Sequence, residues 1–325
     1  MNKIWMPLVT TIIPTYKRST MVRAAVETVL TQDYPHLDVI VVDDNTDPEE
    51  QHKTRAALDD LIATGRVVLI PNARSKGACG ARNTGIDAAR GELIAFLDDD
   101  DRWLPRKISA QVYLLGQTQC VAALCQYDDI DLAFGHSRRC RASNLVLTRA
   151  QALSGECPTS TSLVLVKREV LLAAGCFDET LPSFQDFDMW LRCLKFGNFA
   201  YVDEALVEFI QHGGERTSVN LVRRMAGLAA IEQKWGREMS VYAHFSRFRR
   251  RVRIDALIAN GKASLGHGYL KTVGLFLRAA VVGRGSARTL FWLAIGVLGA
   301  HVGKSMYRHL LSLRHVETIA MVAHA

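Results

Sequence analysis

Residues 93–101 read LIAFLDDDD, an uninterrupted apolar run that stops against four consecutive aspartates. Five residues without a polar position suit a strand buried on both faces, as in a parallel sheet. Outward from it, residues 9–13 (VTTII) form a β-branched run closed by Pro14, and residues 38–42 (DVIVV) a third run stopped by Asp43-Asp44-Asn45. Residues 67–70 make a fourth. Between these runs, residues 18–31, 48–63 and 80–89 carry apolar positions at helical spacing; Val22, Val26, Val29 and Leu30 share one face in the first. Strand and helix alternating in this way predict an α/β fold: a Rossmann-like, mostly parallel sheet with helices on both faces. Farther along, the pattern predicts helices over 105–115, 167–174 and 186–196, and strands near 121–124 and 162–166.

A length of 325 residues leaves room for one large α/β domain and an appendage, and 49% hydrophobic residues exclude a disordered chain. Charge divides the chain. Residues 1–213 hold 22 Lys/Arg against 28 Asp/Glu, and residues 214–325 hold 18 against 5. The shift coincides with Gly213-Gly214, which predicts a domain over residues 1–215 and a basic, apolar, helical C-terminal region over 216–325. That region contains RFRRRVR at 247–253, followed by apolar stretches at 269–282 and 290–302. Each is shorter than the roughly 18–20 apolar residues a bilayer span requires. Such helices either lie in a membrane interface or cap the main domain. The seven cysteines form no C-x-x-C pair, which fits reduced core thiols in a cytoplasmic protein. No small-residue cleavage site follows the N-terminal apolar run, so a signal peptide is not expected.

In an open parallel sheet, ligands bind beyond the carboxyl ends of the strands. The residues at those ends are Pro14-Thr15-Tyr16, Asp43-Asp44, Asn72 and Asp98 to Asp101, and they should converge on one rim. Four adjacent carboxylates repel one another, and Mg²⁺ or Mn²⁺ would relieve that while bridging to diphosphate oxygens. A solvated acidic turn capping the next helix is the plainer alternative. Asp43-Asp44 suits contacts to a base or ribose, or merely an Asx turn with Asn45. The loop Lys76-Gly77-Ala78-Cys79-Gly80-Ala81-Arg82-Asn83 places glycine amides and two cations before a helix, fitting phosphate, although its spacing is neither G-x-G-x-x-G nor Walker A. Asp186, opening the helix near 186–196, suits both a helix-dipole partner and a general base. His212 fits a lid contact or a structural histidine.

Taken together, TTIIPTYKR (10–18), VIVVDDNTD (39–47), GACGARNTGIDAARGELIAFLDDDDRW (77–103) and FQDFDMWLRCLKFG (184–197) resemble family 2 glycosyltransferases of the GT-A fold, over roughly residues 8–215. The resemblance implies inverting transfer from a nucleoside-diphosphate sugar, UDP-linked, with Mg²⁺ or Mn²⁺. It implies that Tyr16 and Asp43 contact the nucleobase and Arg82 the nucleotide, within a donor site also formed by Pro14, Thr15, Asp44, Lys76, Asp98 and Asp99. Asp98 and Asp100 would be the D-x-D pair, Asp100 foremost as metal ligand, and Asp186 the base. Many members have Glu-Asp where this chain has Gln185-Asp186. The Q-x-x-R-W of processive synthases is missing; Gln233-Lys234-Trp235 stands instead, so single-sugar addition is implied. The tail is similar to those of bacterial exopolysaccharide and surface-glycan transferases, which implies a glycan or polyprenyl-linked acceptor, a cytoplasmic location at the inner leaflet, and no nucleic-acid partner.

Two competing readings remain from the residues. A nucleotidyltransferase making an activated sugar would carry a glycine-rich segment near the N-terminus, and Pro14-Thr15-Tyr16-Lys17-Arg18 has no glycine. A non-enzymatic membrane- or nucleic-acid-binding protein would rest on the basic tail alone, which lacks the interleaved aromatics of single-strand binders.

Overall fold

The computed structural model describes residues 5–131, 136–142, 144–157, 160–211, 220–242, 245–264 and 268–298. Its strands are β1 (Val9–Thr15), β2 (Leu37–Asp43), β3 (Val68–Pro71), β4 (Leu93–Phe96), β5 (Arg102–Trp103), β6 (Ala122–Asp131), β7 (His136–Cys140), β8 (Val146–Leu147), β9 (Leu165–Lys167) and β10 (Phe199–Gln211). They form one sheet in the order β3-β2-β1-β4-β9-β6-β10-β5, with β7 beside β6 and β8 beside β10. The helices are α1 (Ser19–Leu30), α2 (Pro48–Ala63), α3 (Ala78–Ala88), α4 (Lys107–Gln117), α5 (Arg149–Leu153), α6 (Arg168–Ala173), α7 (Gln185–Cys193), α8 (Leu221–Met239), α9 (Phe245–Ser264) and α10 (Tyr269–Val282). Residues 287–298 are also helical.

The apolar runs become the centre of the sheet. All seven residues of β1 are buried, so both of its faces are covered, and β1 lies parallel to β2 on one side and β4 on the other. Thr15 stands opposite Asp43, and Asp43 opposite Pro71, so three strands end flush. The last residue of β4, Phe96, pairs with Ile12, and the chain beyond it climbs beside the end of β1. This register brings residues 98–100 level with Thr15.

Two features depart from the sequence reading. Residues 162–166 are not a single strand. Thr161–Leu163 form a 3₁₀ turn and only Leu165–Lys167 pair, antiparallel to both β4 and β6. Ser160 caps that turn through its hydroxyl, which accepts from the Ser162 N–H, and the hydroxyl of Ser162 is spent on Asp101. The strand near 121–124 continues to Asp131, paired in parallel with the thirteen-residue β10, which has no counterpart in the sequence reading.

The α7 helix is fixed from below. Trp190, fully buried one turn after Asp186, makes edge contacts with Phe177 and Phe199 at centroid distances of 6.0 and 6.1 Å. Asp188, also fully buried, is compensated by Arg192, Lys234 and the Trp235 indole N–H. Through Trp235, Ile231 and Met239, α8 shares the core that underlies the sheet. A second, smaller core joins α9, α10 and residues 287–298 around Phe276 and Trp292. All seven cysteines are free thiols.

Candidate active site

The strand ends open into a cavity of about 2150 Å³. Of the four consecutive aspartates, three line it and one does not. Asp98, Asp99 and Asp100 face the cavity, whereas Asp101 turns into the protein, where it is 1% exposed and accepts a 2.6 Å bond from the Ser162 hydroxyl. The Asp98 N–H in turn donates to the Ser162 oxygen, so the turn after β4 is locked from both ends.

Two arginines balance the three remaining carboxylates. Arg18 bridges Asp99 and Asp100 at 2.8 and 2.9 Å, and Arg82 pairs with Asp98 at 2.5 Å. Asp99 spends its second oxygen on the Thr15 hydroxyl. Burial pushes its carboxyl up to about 6, against the opposing pull of Arg18 and Thr15. Its bonds therefore tie the ends of β1 and β4 together. Asp98 and Asp100 present hard oxygen donors toward the cavity. Among the described residues no three His, Cys, Asp or Glu side chains gather into a closed cage. Two carboxylates suit Mg²⁺ or Mn²⁺, which commonly takes one or two from the protein and fills its shell from substrate phosphates and water. The donor set fits such an ion.

The Asp43–Asp44 pair divides in the same way. Asp43 is buried behind the rim, and one oxygen accepts from both the backbone and side-chain N–H groups of Asn45, forming the Asx turn. Burial raises its carboxyl above the ordinary range. Asp44 lines the cavity and holds the next loop, accepting from the Asn72 amide at 2.6 Å and from the Gly77 N–H at 2.9 Å. The glycine amide that the sequence offered to phosphate is thus engaged by a carboxylate. Pro14 and Thr15 line the wall, and Tyr16 stands at the mouth, 40% exposed, with the Lys76 and Lys17 ammonium groups 4.8 and 5.5 Å from its ring centre.

Asp186 lies on the same cavity, in the first turn of α7. The helix starts from Phe184 in a left-handed conformation (φ 64°), and the Phe187 N–H donates to the Asp186 carboxylate at 2.8 Å. Burial lifts the Asp186 carboxyl to about 6, while the Phe187 N–H, Arg82 and Arg224 pull it down and Asp98 pushes it up. Asp186, Asp98 and Arg82 thus line one cavity, with Arg82 bonded to Asp98.

The structure adds groups that the sequence reading passed over. Arg18 stands two residues after Tyr16 yet reveals its role only through residues 81 and 82 positions away. Glu179 clamps the Lys76 loop, accepting from the Ser75 hydroxyl and N–H and from the Asn83 amide. Its partners lie about a hundred residues upstream, so no local signal marks it. The far wall of the cavity, with Phe184, Arg224, Phe248 and Arg251, comes from α7, α8 and α9. His212 lies outside the described residues.

The chain is similar to known proteins in sequence and in fold. The model of glycosyl transferase family 2 matches residues 10–171. WcaA of Escherichia coli K12, a glycosyl transferase named for colanic acid biosynthesis, is 30% identical over 220 residues, covering 64% of this chain and 74% of that one. WfgD of Escherichia coli, named as a UDP-Glc:alpha-D-GlcNAc-diphosphoundecaprenol beta-1,3-glucosyltransferase, is 26% identical over 196 residues, 60% of this chain and 73% of its own. Among solved structures, mannosyltransferase PcManGT from Pyrobaculum calidifontis, in complex with GDP-Man and Mn²⁺, superposes with a TM-score of 0.56 at 18% identity, covering 94% of this chain and 88% of that one. That likeness supports the fold.

Proposed function

The chain belongs to glycosyl transferase family 2, and on that premise we propose that it is an inverting, metal-dependent enzyme moving one hexose from a UDP-sugar onto a lipid-linked glycan acceptor. The observation that carries the reading is Arg82. A single guanidinium pairs with Asp98 beyond β4 and lines the same cavity as Asp186 at the start of α7, which puts a donor-side acid and a candidate base on one cavity. The UDP donor and the lipid-diphosphate acceptor follow from the named activity of the similar WfgD.

Inverting transfer needs the acceptor hydroxyl to attack the anomeric carbon from the face opposite the diphosphate. The new C–O bond forms as the bond to the diphosphate oxygen breaks, its electrons leave with the nucleoside diphosphate, and Asp186 takes the hydroxyl proton. A carboxyl held at about 6 by burial is ionised at pH 7 and is a stronger base than an ordinary aspartate. Tyr16 and Lys76 border the nucleobase end, with Asp44 holding the 72–77 loop in place and Asp43 supporting the turn behind it. Arg18 and Thr15 fix Asp99 and so orient Asp98 and Asp100, the residues that would hold Mg²⁺ or Mn²⁺. When bound, that ion supplies positive charge to the departing diphosphate.

A panel of nucleotide sugars, assayed with Mn²⁺ or Mg²⁺ and a lipid-linked sugar acceptor, should give nucleoside diphosphate from one donor. EDTA should abolish the release and added Mn²⁺ restore it. Pyrophosphate release from a nucleoside triphosphate and a sugar phosphate would point instead to a nucleotidyltransferase. A protein that bound no nucleotide sugar would end the transferase reading altogether.

The C-terminal helices support a peripheral contact with an anionic membrane surface. Residues 256–316 contain eight Lys/Arg and no Asp or Glu. Phe276 and Trp292 pack at 5.7 Å between α10 and residues 287–298, while Leu270, Leu277, Val281, Leu290 and Val297 are exposed. Among the described residues no helix is long and apolar enough to cross a membrane. An exposed apolar face on a purely basic segment suits an anionic lipid interface. In vesicle flotation the protein should follow phosphatidylglycerol-containing liposomes and not neutral ones, and a Leu270→Glu/Leu277→Glu variant should stay behind. If that variant floats as well as the parent, the face is not the contact.

A further inference from the structure

Several cations line the cavity without a part in the transfer chemistry, and one of them is seated on an aromatic ring. Arg224, on the first turns of α8, lines the cavity half-buried. Its guanidinium lies 4.7 Å from the centre of the Phe184 ring, and it makes no hydrogen bond or ion pair among the described residues. A guanidinium drawn out of water without an acid to bind is costly, and burial lowers its proton affinity in spite of Asp186 and Asp255 nearby. The two arginines beside the D-x-D aspartates are committed: Arg18 to Asp99 and Asp100, Arg82 to Asp98. Arg224 belongs to another side of the site. It shares with Arg82 only the charge of Asp186, and it comes from a helix outside the strand ends that carry the donor residues. Inversion requires the attacking hydroxyl to approach from the face away from the diphosphate. Arg224 lines the cavity together with the base and comes from α8, an element separate from the strand ends that carry the D-x-D aspartates, which suits the side from which the acceptor enters. On the same cavity, Phe187 and Phe248 stack at 5.3 Å and give it an apolar wall.

Resting on the transferase reading above, we infer that Arg224, seated on Phe184, is the site for a phosphate group of the acceptor, so that the enzyme selects acceptors carrying a phosphate or diphosphate close to the sugar being extended. A planar fork of donors matches phosphate oxygens, and the stacked aromatics suit the apolar chain or sugar face attached to it.

The test uses the full chain and two separate probes. Farnesyl diphosphate stands in for the acceptor and UDP with Mn²⁺ for the donor, each titrated calorimetrically against the wild type, Arg224→Ala and Arg224→Lys. Losing a charge-assisted contact worth about 1.5–3 kcal/mol weakens farnesyl diphosphate about 10- to 100-fold in the alanine variant. UDP affinity should stay within about twofold, and lysine, a point charge without the fork, should recover part of the loss. Thermal melting of Arg224→Lys checks that the fold is kept. The inference is overturned if the wild type does not bind farnesyl diphosphate, if both variants bind it equally well, or if UDP affinity falls in step, which would move Arg224 to the donor side. Failure of UDP and every nucleotide sugar to bind the wild type would instead sink the underlying transferase reading.

Discussion

Asp186→Asn should lower the rate of sugar transfer by about 10²- to 10⁴-fold, the range that positioned general bases contribute, while UDP affinity changes little. The substitution is nearly isosteric, and the amide oxygen can still accept from the Phe187 N–H, so the start of α7 should hold its shape. Arg82 keeps its direct partner Asp98. What disappears is the basic oxygen. The pH profile supplies an independent check. Burial holds the Asp186 carboxyl at about 6, so wild-type kcat/KM should fall as the pH drops through about 6 and the carboxylate takes up a proton. In the variant that acid limb should vanish from a low, flat profile. Asp99, also held at about 6, could add to the same limb; a limb that survives unchanged in Asp186→Asn would belong to Asp99. Transfer at the wild-type rate in Asp186→Asn would remove Asp186 from the role of base.

The central strands were legible because burial on both faces favours continuous apolar and β-branched residues, as in VTTII of β1, VIVV of β2 and LIAF of β4. β10 was not. Its sequence FAYVDEALVEFIQ mixes acids with apolar residues, and its register against β6 shifts twice, at Val202/Ala205 and Ala205/Val207. No single period runs through it. The site shows the same division. That acids gather after β4 was readable from order along the chain. Which of them face the cavity was not, because Asp101 is turned inward by Ser162 and Asp99 is taken by Thr15 and Arg18, all distant in sequence. Asp43 and Asp44 are adjacent and look alike, yet one is drawn into the Asx turn and the other holds the loop at residue 77. Arg224 stands in a run that reads as an ordinary basic helix, and its seat on the Phe184 ring distinguishes it from Arg223, which lines the same cavity.

The glycines before α3 show how a correct placement can have a different cause, and they yield the second large effect. Gly77 adopts φ 118°, where a side chain is strained, but its N–H is engaged by Asp44. Gly80 has an ordinary helical backbone, yet a Cβ there would stand 1.8 Å from the carbonyl oxygen of Ser75. That oxygen cannot retreat freely: it accepts from the Asn72 amide, and the Ser75 N–H is held by Glu179. Asn72 and Glu179 are themselves bonded to Asp44 and Asn83. Gly80→Ala must therefore push the 72–77 loop off α3, displacing Lys76 and breaking part of this network. Overpacking of this kind costs about 1–3 kcal/mol, and the released carboxylates add to it. The expected result is a Tm several degrees lower and UDP affinity weakened by about tenfold or more, since Lys76 no longer stands beside Tyr16. Gly236→Ala in α8 is the control. Nothing lies within 4 Å of its Cβ, so alanine there should stabilise by about 0.5–1 kcal/mol through helix propensity alone. The two substitutions add the same methyl group to a helical backbone and should move Tm in opposite directions. Equal melting of Gly80→Ala and wild type, with unchanged UDP binding, would mean that the loop does not lie against the helix as described.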